Sequence, residues 1–275
     1  VTIRSTVSAN GACSGSTSDV SFTVNYAPSA ATNTTSTSAI CETATKSLSG
    51  NGTMSVVSGG GSIGGSTYTP ADISSNTSMT IRSTVSANGA SSGSTSDASF
   101  TVNYAPSAAT NTTPTSAVCE GTDVTLAGTG TPSITAGSGT ISSGDYVTGN
   151  ISSDETATIR YTVSANGACP ATTSDQSFTV NALPTVTASV TETSGLSNND
   201  GTVCNNASVT LSGGGATSYT WDNSVSDGIA FTASSTTTYT VTGTDGNGCQ
   251  STAQQTITVN ALPSIDAGDD ITVNY

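Results

Sequence analysis

The stretch VTIRSTVSANGACSGSTSDVSFTVNYAPSAATNTT, residues 1–35, returns almost letter for letter at 79–113, and a diverged copy, ATIRYTVSANGACPATTSDQSFTVNALP, fills 157–184. A fourth copy, TTYTVTGTDGNGCQSTAQQTITVNALP, runs from Thr237 to Pro263. Self-similarity with a 78-residue period describes one small folding unit copied head to tail. Whatever such a chain does, it does by repetition.

Pro28, Pro106, Pro184 and Pro263 close the runs FTVNYAP, FTVNYAP, FTVNALP and ITVNALP, at spacings of 78, 78 and 79 residues. Proline has no N–H to give to a central ladder, so it suits the joint between one unit's last strand and the next unit's edge strand. The expected organisation is three complete repeats, 28–105, 106–183 and 184–262, flanked by the C-terminal part of one repeat (1–27) and the first strand of another (263–275). The opening inside a strand pattern and the stop at ITVNY are expected of a piece cut from a longer polypeptide.

Within each copy, alternating runs such as Val124-Thr-Leu126, Ile159-Arg-Tyr161-Thr-Val163 and Phe178-Thr-Val180 are separated by Gly, Asn and Ser clusters. Period-two patterning with turns this close predicts an antiparallel sandwich of about seven strands in each copy, an all-β array of the immunoglobulin type. No stretch carries a capped helical pattern, and tracts such as Ser58-Gly-Gly-Gly-Ser62 would break one.

Composition narrows the possible roles. The chain has no His, four cationic side chains (Arg4, Lys46, Arg82, Arg160) and a net charge of −14, a surface that repels nucleic acid and anionic lipid. No apolar run is long enough to span a membrane as a helix. Aromatics make up 5% of residues, so each core must be thin. Repeats of this size sit at the marginal end of burial, and added staples are expected.

The six cysteines occupy two repeat positions. Cys41, Cys119 and Cys204 stand early in a repeat, in VCEGTDVTL and VCNNASVTL among others; Cys13, Cys169 and Cys249 follow an Asn-Gly turn before the last strand. Ser91 takes the second position in repeat 28–105. Bonds within repeats would join Cys119 to Cys169 and Cys204 to Cys249, leaving Cys41 free. Immunoglobulin topology puts the two positions at opposite ends of one sandwich, too far apart for a bond that needs Cα atoms about 5.5 Å apart. Stacked repeats would instead pair Cys41 with Cys169 and Cys119 with Cys249, with Cys13 and Cys204 partnered outside the fragment. That second arrangement is the expected one. Either closes loops of about 45 residues or more, worth on the order of 4–5 kcal/mol in the chain-entropy picture. Both imply an oxidising compartment.

The runs GSTYTPADISSNTSMTIRSTVSANG, NDGTVCNNASVTLSGGGATSYTWDNSVSDG and TTTYTVTGTDGNGC, with the VC-x4-VTL start, resemble the tandem immunoglobulin-like or PKD-like repeats of giant Bacteroidetes cell-surface proteins. The similarity covers essentially the whole chain. It implies an extracellular, bacterial cell-surface adhesin of the kind linked to gliding motility and type IX secretion, and it transfers neither a ligand nor a catalytic residue. Two departures stand out: repeats 28–105 and 106–183 lack a counterpart of Trp221, and Ser91 and Asn274 stand where the family often places Cys.

Several residues invite a site reading. Calcium would suit Asp266, Asp269 and Asp270 at the last joint, and also Ser197-Asn-Asn-Asp-Gly201 and Asp245-Gly-Asn-Gly248, since hard cations take oxygen clusters. The same residue types are what tight turns require. Trp221, in SYTW, fits a core position. Tyr26, Tyr104 and Leu183, just before the joint prolines, are expected to pack at interfaces between repeats. Arg4, Arg82 and Arg160 recur at one position and should each meet a carboxylate. The sequons at Asn33, Asn51, Asn76, Asn111, Asn150 and Asn206 are expected by chance in a chain this rich in Asn, Ser and Thr.

Without His, and with no Ser-Lys or paired-carboxylate constellation repeated between copies, no catalytic site is expected. The expected function is a non-catalytic rod, stalk or filament, its partners being neighbouring repeats and possible other copies. The alternatives are a glycan- or protein-binding module, or the accessory region of a larger secreted enzyme.

Overall fold

Strand Thr77–Val85 alternates Met79, Ile81 and Ser83 inward with Thr80 and Arg82 outward, and it pairs antiparallel with Ser94–Asn103 from Thr77↔Val102 to Val85↔Ser94. Side chains on a strand alternate between faces, so the period-two pattern buries one row and leaves the other to water. The computed structural model describes residues 1–195, 197–264 and 268, and every regular element in them is a β-strand. The protein is an all-β array of immunoglobulin-like sandwiches.

In repeat 28–105 a four-stranded sheet runs in the order Ile40–Cys41, Ser94–Asn103, Thr77–Val85, Thr53–Ser58. A three-stranded sheet, Lys46–Ser47, Thr67–Thr69, Ser62–Gly64, accompanies it. The same orders recur in repeat 106–183, and repeat 184–262 again has one four-stranded and one three-stranded sheet. Each repeat has its own buried cluster, built around Tyr68, Ile81 and Phe100, around Tyr146, Ile159 and Phe178, and around Leu211, Trp221 and Val241. Tyr68–Phe100 and Tyr146–Phe178 meet edge to face, the favoured geometry for two rings of opposed edge and face charge.

One feature departs from an antiparallel sandwich. The short strand carrying the first cysteine runs parallel to the last strand in every repeat: Cys41↔Asn103, Cys119↔Asn181 and Cys204↔Asn260. Parallel pairing needs a long crossover, and the rest of the repeat provides it.

Contacts divide the chain into two compact units, 1–109 with 162–173, and 110–161 with 174–275. The first holds hairpin Thr2–Val7/Ser16–Ser21 and repeat 28–105; the tip of the last hairpin of repeat 106–183 also clusters there. The second holds the remainder of repeat 106–183 and repeat 184–262.

Candidate functional site at the repeat joint

Parallel pairing fixes where the first cysteine lies. Cys119 stands opposite Asn181, the final residue of strand Thr172–Asn181, whereas Cys169 precedes that strand's first residue. A ten-residue strand rising about 3.3 Å per residue separates the two ends by roughly 30 Å, which rules out a bond within the repeat. The structure joins Cys41 to Cys169, with Cα atoms 4.6 Å apart, and Cys119 to Cys249, at 5.5 Å. Cys13 and Cys204 carry free thiols, Cys13 exposed and Cys204 half-buried.

Around Cys41–Cys169, inside the first unit, the bond is one part of a docked hairpin tip. Asn166 and Cys169 close the tip with reciprocal backbone bonds of 3.1 and 2.9 Å. The Ala168 N–H donates to Asn103 Oδ1 at 2.8 Å, and Asn166 Nδ2 donates to the Tyr104 carbonyl at 2.9 Å. Asn76 and Asn166 exchange amide hydrogen bonds of 3.1 and 2.8 Å. Gly167, at φ +55°, lies so close to the Asn103 amide that a Cβ would sit 2.4 Å from it, so the turn needs glycine for space as well as for backbone angle. Asn103 is only 5% exposed.

The chain leaving the strand is clamped as well. Glu42, next to Cys41, accepts from the Ala105 N–H at 2.8 Å and the Ile73 N–H at 3.1 Å. Thr172 donates to the Ser107 carbonyl and accepts from the Ala109 N–H. A backbone carried past Pro106 through paired donors and acceptors loses the freedom of a loose linker.

Two variants of the joint occur. Asn88 and Ser91 form the same closed tip, Asn88 Nδ2 donates to the Tyr26 carbonyl at 3.2 Å, and a Cβ on Gly89 would sit 1.9 Å from the Asn25 amide. This tip docks with no disulfide, because serine replaces cysteine. In the second unit Cys249 closes a tip with Asp245, whose Oδ1 accepts from the Asn247 and Cys249 N–H groups at 2.8 and 2.9 Å, and Asn181 is buried like Asn103.

Asn25, Asn103, Asn181 and Asn260 all belong to the TVN run read only as a strand end. Their recurrence with the Asn-Gly tips was the available signal for the docking pair. Tyr26 and Tyr104 are used differently from expectation. The two residues are 77% and 40% exposed, and their backbone carbonyls receive the docking asparagine; Leu183 is also exposed.

Asp266, Asp269 and Asp270 lie outside the described residues. The other acidic turns serve their own backbone. Asp200 accepts from the Thr202 N–H, Glu192 accepts from the Ser194 and Asp200 N–H groups, and Asp245 caps its hairpin. No group of three potential metal ligands occurs among the described residues. Trp221 is buried, and its indole N–H donates to Asp227 at 2.9 Å.

Arg4, Arg82 and Arg160 face Asp19, Asp97 and Asp175 directly across the last hairpin at 2.6–2.7 Å. The guanidinium bond holds each aspartate below the usual carboxylate range, and all three pairs stay open to water, where screening leaves them little to contribute. Asn33 and Asn111 each donate to a strand carbonyl, Ile81 and Ile159, and accept from the N–H two residues on. These two sequon asparagines are structural pins.

No protein-family profile matches the chain, and no curated protein matches it. Among solved structures it is similar to mouse cadherin-23 EC22-24 (12% identity, TM-score 0.30, covering 83% of this chain and 96% of that one). It is also similar to a protocadherin gammaB7 EC3-6 cis-dimer (13%, 0.29, 95% and 84%) and to the human desmocollin-1 ectodomain (10%, 0.27, 85% and 62%). At such TM-scores the likeness carries no argument, and the fold rests on the strand order above.

Proposed function

We propose that this chain is a non-catalytic structural repeat region of an extracellular bacterial surface adhesin, forming part of a rod, stalk or filament. The observation that carries the reading is the repeated joint, in which a hairpin tip docks on a buried asparagine and is bonded to the repeat before it. Disulfides of this kind persist outside the reducing cytoplasm, which supports secretion. The bacterial surface, gliding motility and type IX export follow from the resemblance of the repeat motifs.

A joint that is docked, clamped and cross-linked resists bending, and stiffness is what a projecting or load-bearing element requires. Electron micrographs of the chain before and after mild reduction test this. Straight particles about 100 Å long that bend after reduction, with strand content unchanged, are the expected outcome, taking about 3.3 Å per strand residue. Equal bending in both states overturns the stiffening role.

A further inference from the structure

The docked tip turns on an Asn-Gly pair, Asn166-Gly167. In such a pair the asparagine side chain is open to attack by the next backbone nitrogen, because glycine puts no side chain in the way. Here the polar atoms of that side chain are taken. Asn166 Nδ2 donates to the Tyr104 carbonyl at 2.9 Å and to Asn76 Oδ1 at 2.8 Å, and Asn166 Oδ1 accepts from Asn76 Nδ2 at 3.1 Å. Asn76 is itself oriented, since its Oδ1 also accepts from the Tyr104 N–H at 3.1 Å. Closing a ring onto the Gly167 nitrogen would break all of the Asn166 bonds, and the Cys41–Cys169 disulfide holds the tip where they form.

Two other Asn-Gly pairs are held less. Asn88, in the same Ser-Ala-Asn-Gly tip but without a disulfide, gives a single side-chain bond, to the Tyr26 carbonyl at 3.2 Å. Asn247 is exposed, and its side-chain amide meets no hydrogen-bond partner among the described residues. At the tip of repeat 184–262 the position of Asn166 is taken by an aspartate, and the Asp245 carboxylate bonds the N–H groups of its own turn.

We propose that Asn166 is a deamidation site gated by the Cys41–Cys169 joint, so that an opened joint becomes locked open. While the tip is docked the amide is held away from the Gly167 nitrogen. Two equivalents of a small thiol reduce the disulfide by exchange and leave as their own disulfide, and the tip swings free. The Gly167 nitrogen then attacks Asn166 Cγ, the bond from Cγ to Nδ2 breaks, and ammonia leaves with the proton given up by the Gly167 N–H. Water opens the cyclic imide at one of its two carbonyls, giving aspartate or isoaspartate. One amide and one water become one carboxylate and one ammonium, with nothing oxidised or reduced in that step. Aspartate at 166 has no N–H to give. One carboxylate oxygen keeps the Asn76 Nδ2 bond, while the other confronts the Tyr104 carbonyl and Asn76 Oδ1, acceptor against acceptors. Isoaspartate also lengthens the backbone of a turn in which Gly167 is already pressed on Asn103.

The chain is incubated at mildly alkaline pH with Cys41–Cys169 intact and, in parallel, as the Cys41→Ser, Cys169→Ser double variant, and conversion at Asn166 and Asn247 is followed by peptide mass mapping. Asn247, beside the untouched Cys119–Cys249 bond, is the internal reference for the rest of the fold. The variant should raise the Asn166 rate relative to Asn247 roughly tenfold or more, the effect of making the tip about 1.4 kcal/mol easier to open. Asn166→Asp, with both cysteines present, should form Cys41–Cys169 several-fold more slowly than the unsubstituted chain when each is refolded from the reduced state in a glutathione buffer. An Asn166 rate that is unchanged in the double variant, or that rises only in step with Asn247, overturns the gate. An Asn166→Asp chain that forms the bond at the unsubstituted rate overturns the lock. Either result leaves the surface role standing, since that rests on the docked joint itself.

Discussion

Lys46 occupies the position that Val124 fills one repeat later, each facing the buried tyrosine of its own core, Tyr68 or Tyr146. It is buried, its ammonium donates to the Ser38 carbonyl at 2.6 Å, and it lies 4.5 Å from the centre of the Phe100 ring. Burial pushes its pKa below the ordinary lysine value. The unfolded chain therefore binds a proton that the folded one has lost, between the lowered folded value and about 10.4, and stability rises with pH across that window. Thermal midpoints of repeat 28–105 should climb as the pH rises towards the ordinary lysine value, and Lys46→Val should flatten the slope. A flat wild-type profile contradicts this account of Lys46. Above about pH 10 the buried Tyr68, whose ionisation is pushed up, reverses the trend. The sequence shows the substitution but not its burial, because Lys and Val fit a strand pattern equally well when the core face is unknown.

At the element scale, the hairpin tip joins repeats because the chain brings an Asn-Gly turn to one end of a long strand pair and an asparagine to the other. The strand pattern and the sandwich were legible, since Met79, Ile81, Phe100 and Val102 alternate plainly with polar neighbours. The parallel strand at Cys41 was not, because a two-residue strand has no period to read. Nor was the fit of Gly167 to Asn103, which depends on backbones that meet only in three dimensions. Two glycine substitutions separate turn strain from docking. Gly11→Ala, in open space, should cost about 1–2 kcal/mol from its positive φ alone. Gly167→Ala should add the clash with Asn103, for roughly 2–5 kcal/mol in total. The readout for Gly167→Ala is the rate at which a small thiol reduces Cys41–Cys169, expected to rise several-fold. An unchanged rate would mean that the disulfide holds the joint without the docked turn.

For the whole molecule, the bonds Cys41–Cys169 and Cys119–Cys249 interleave, each spanning parts of two repeats. Removing one with Cys41→Ser and Cys169→Ser together should lower stability by less than the roughly 4–5 kcal/mol of the chain-entropy picture, since each repeat keeps its own buried cluster. Calorimetry should show the loss confined to one transition, with the others unmoved; a collapse of all transitions would mean that the repeats do not fold independently. Interleaving also shortens the covalent path. From Cys41 to Cys249 it runs through Cys169 and Cys119, about 50 residues of chain instead of about 208. Pulling single molecules by their ends, oxidised and then reduced, measures this directly. Interleaved bonds predict that reduction releases about 158 further residues, or roughly 500 Å of contour at about 3.4 Å each. Bonds within repeats, Cys119–Cys169 and Cys204–Cys249, would release only about 95 residues, roughly 300 Å, and that result would contradict the stapled array.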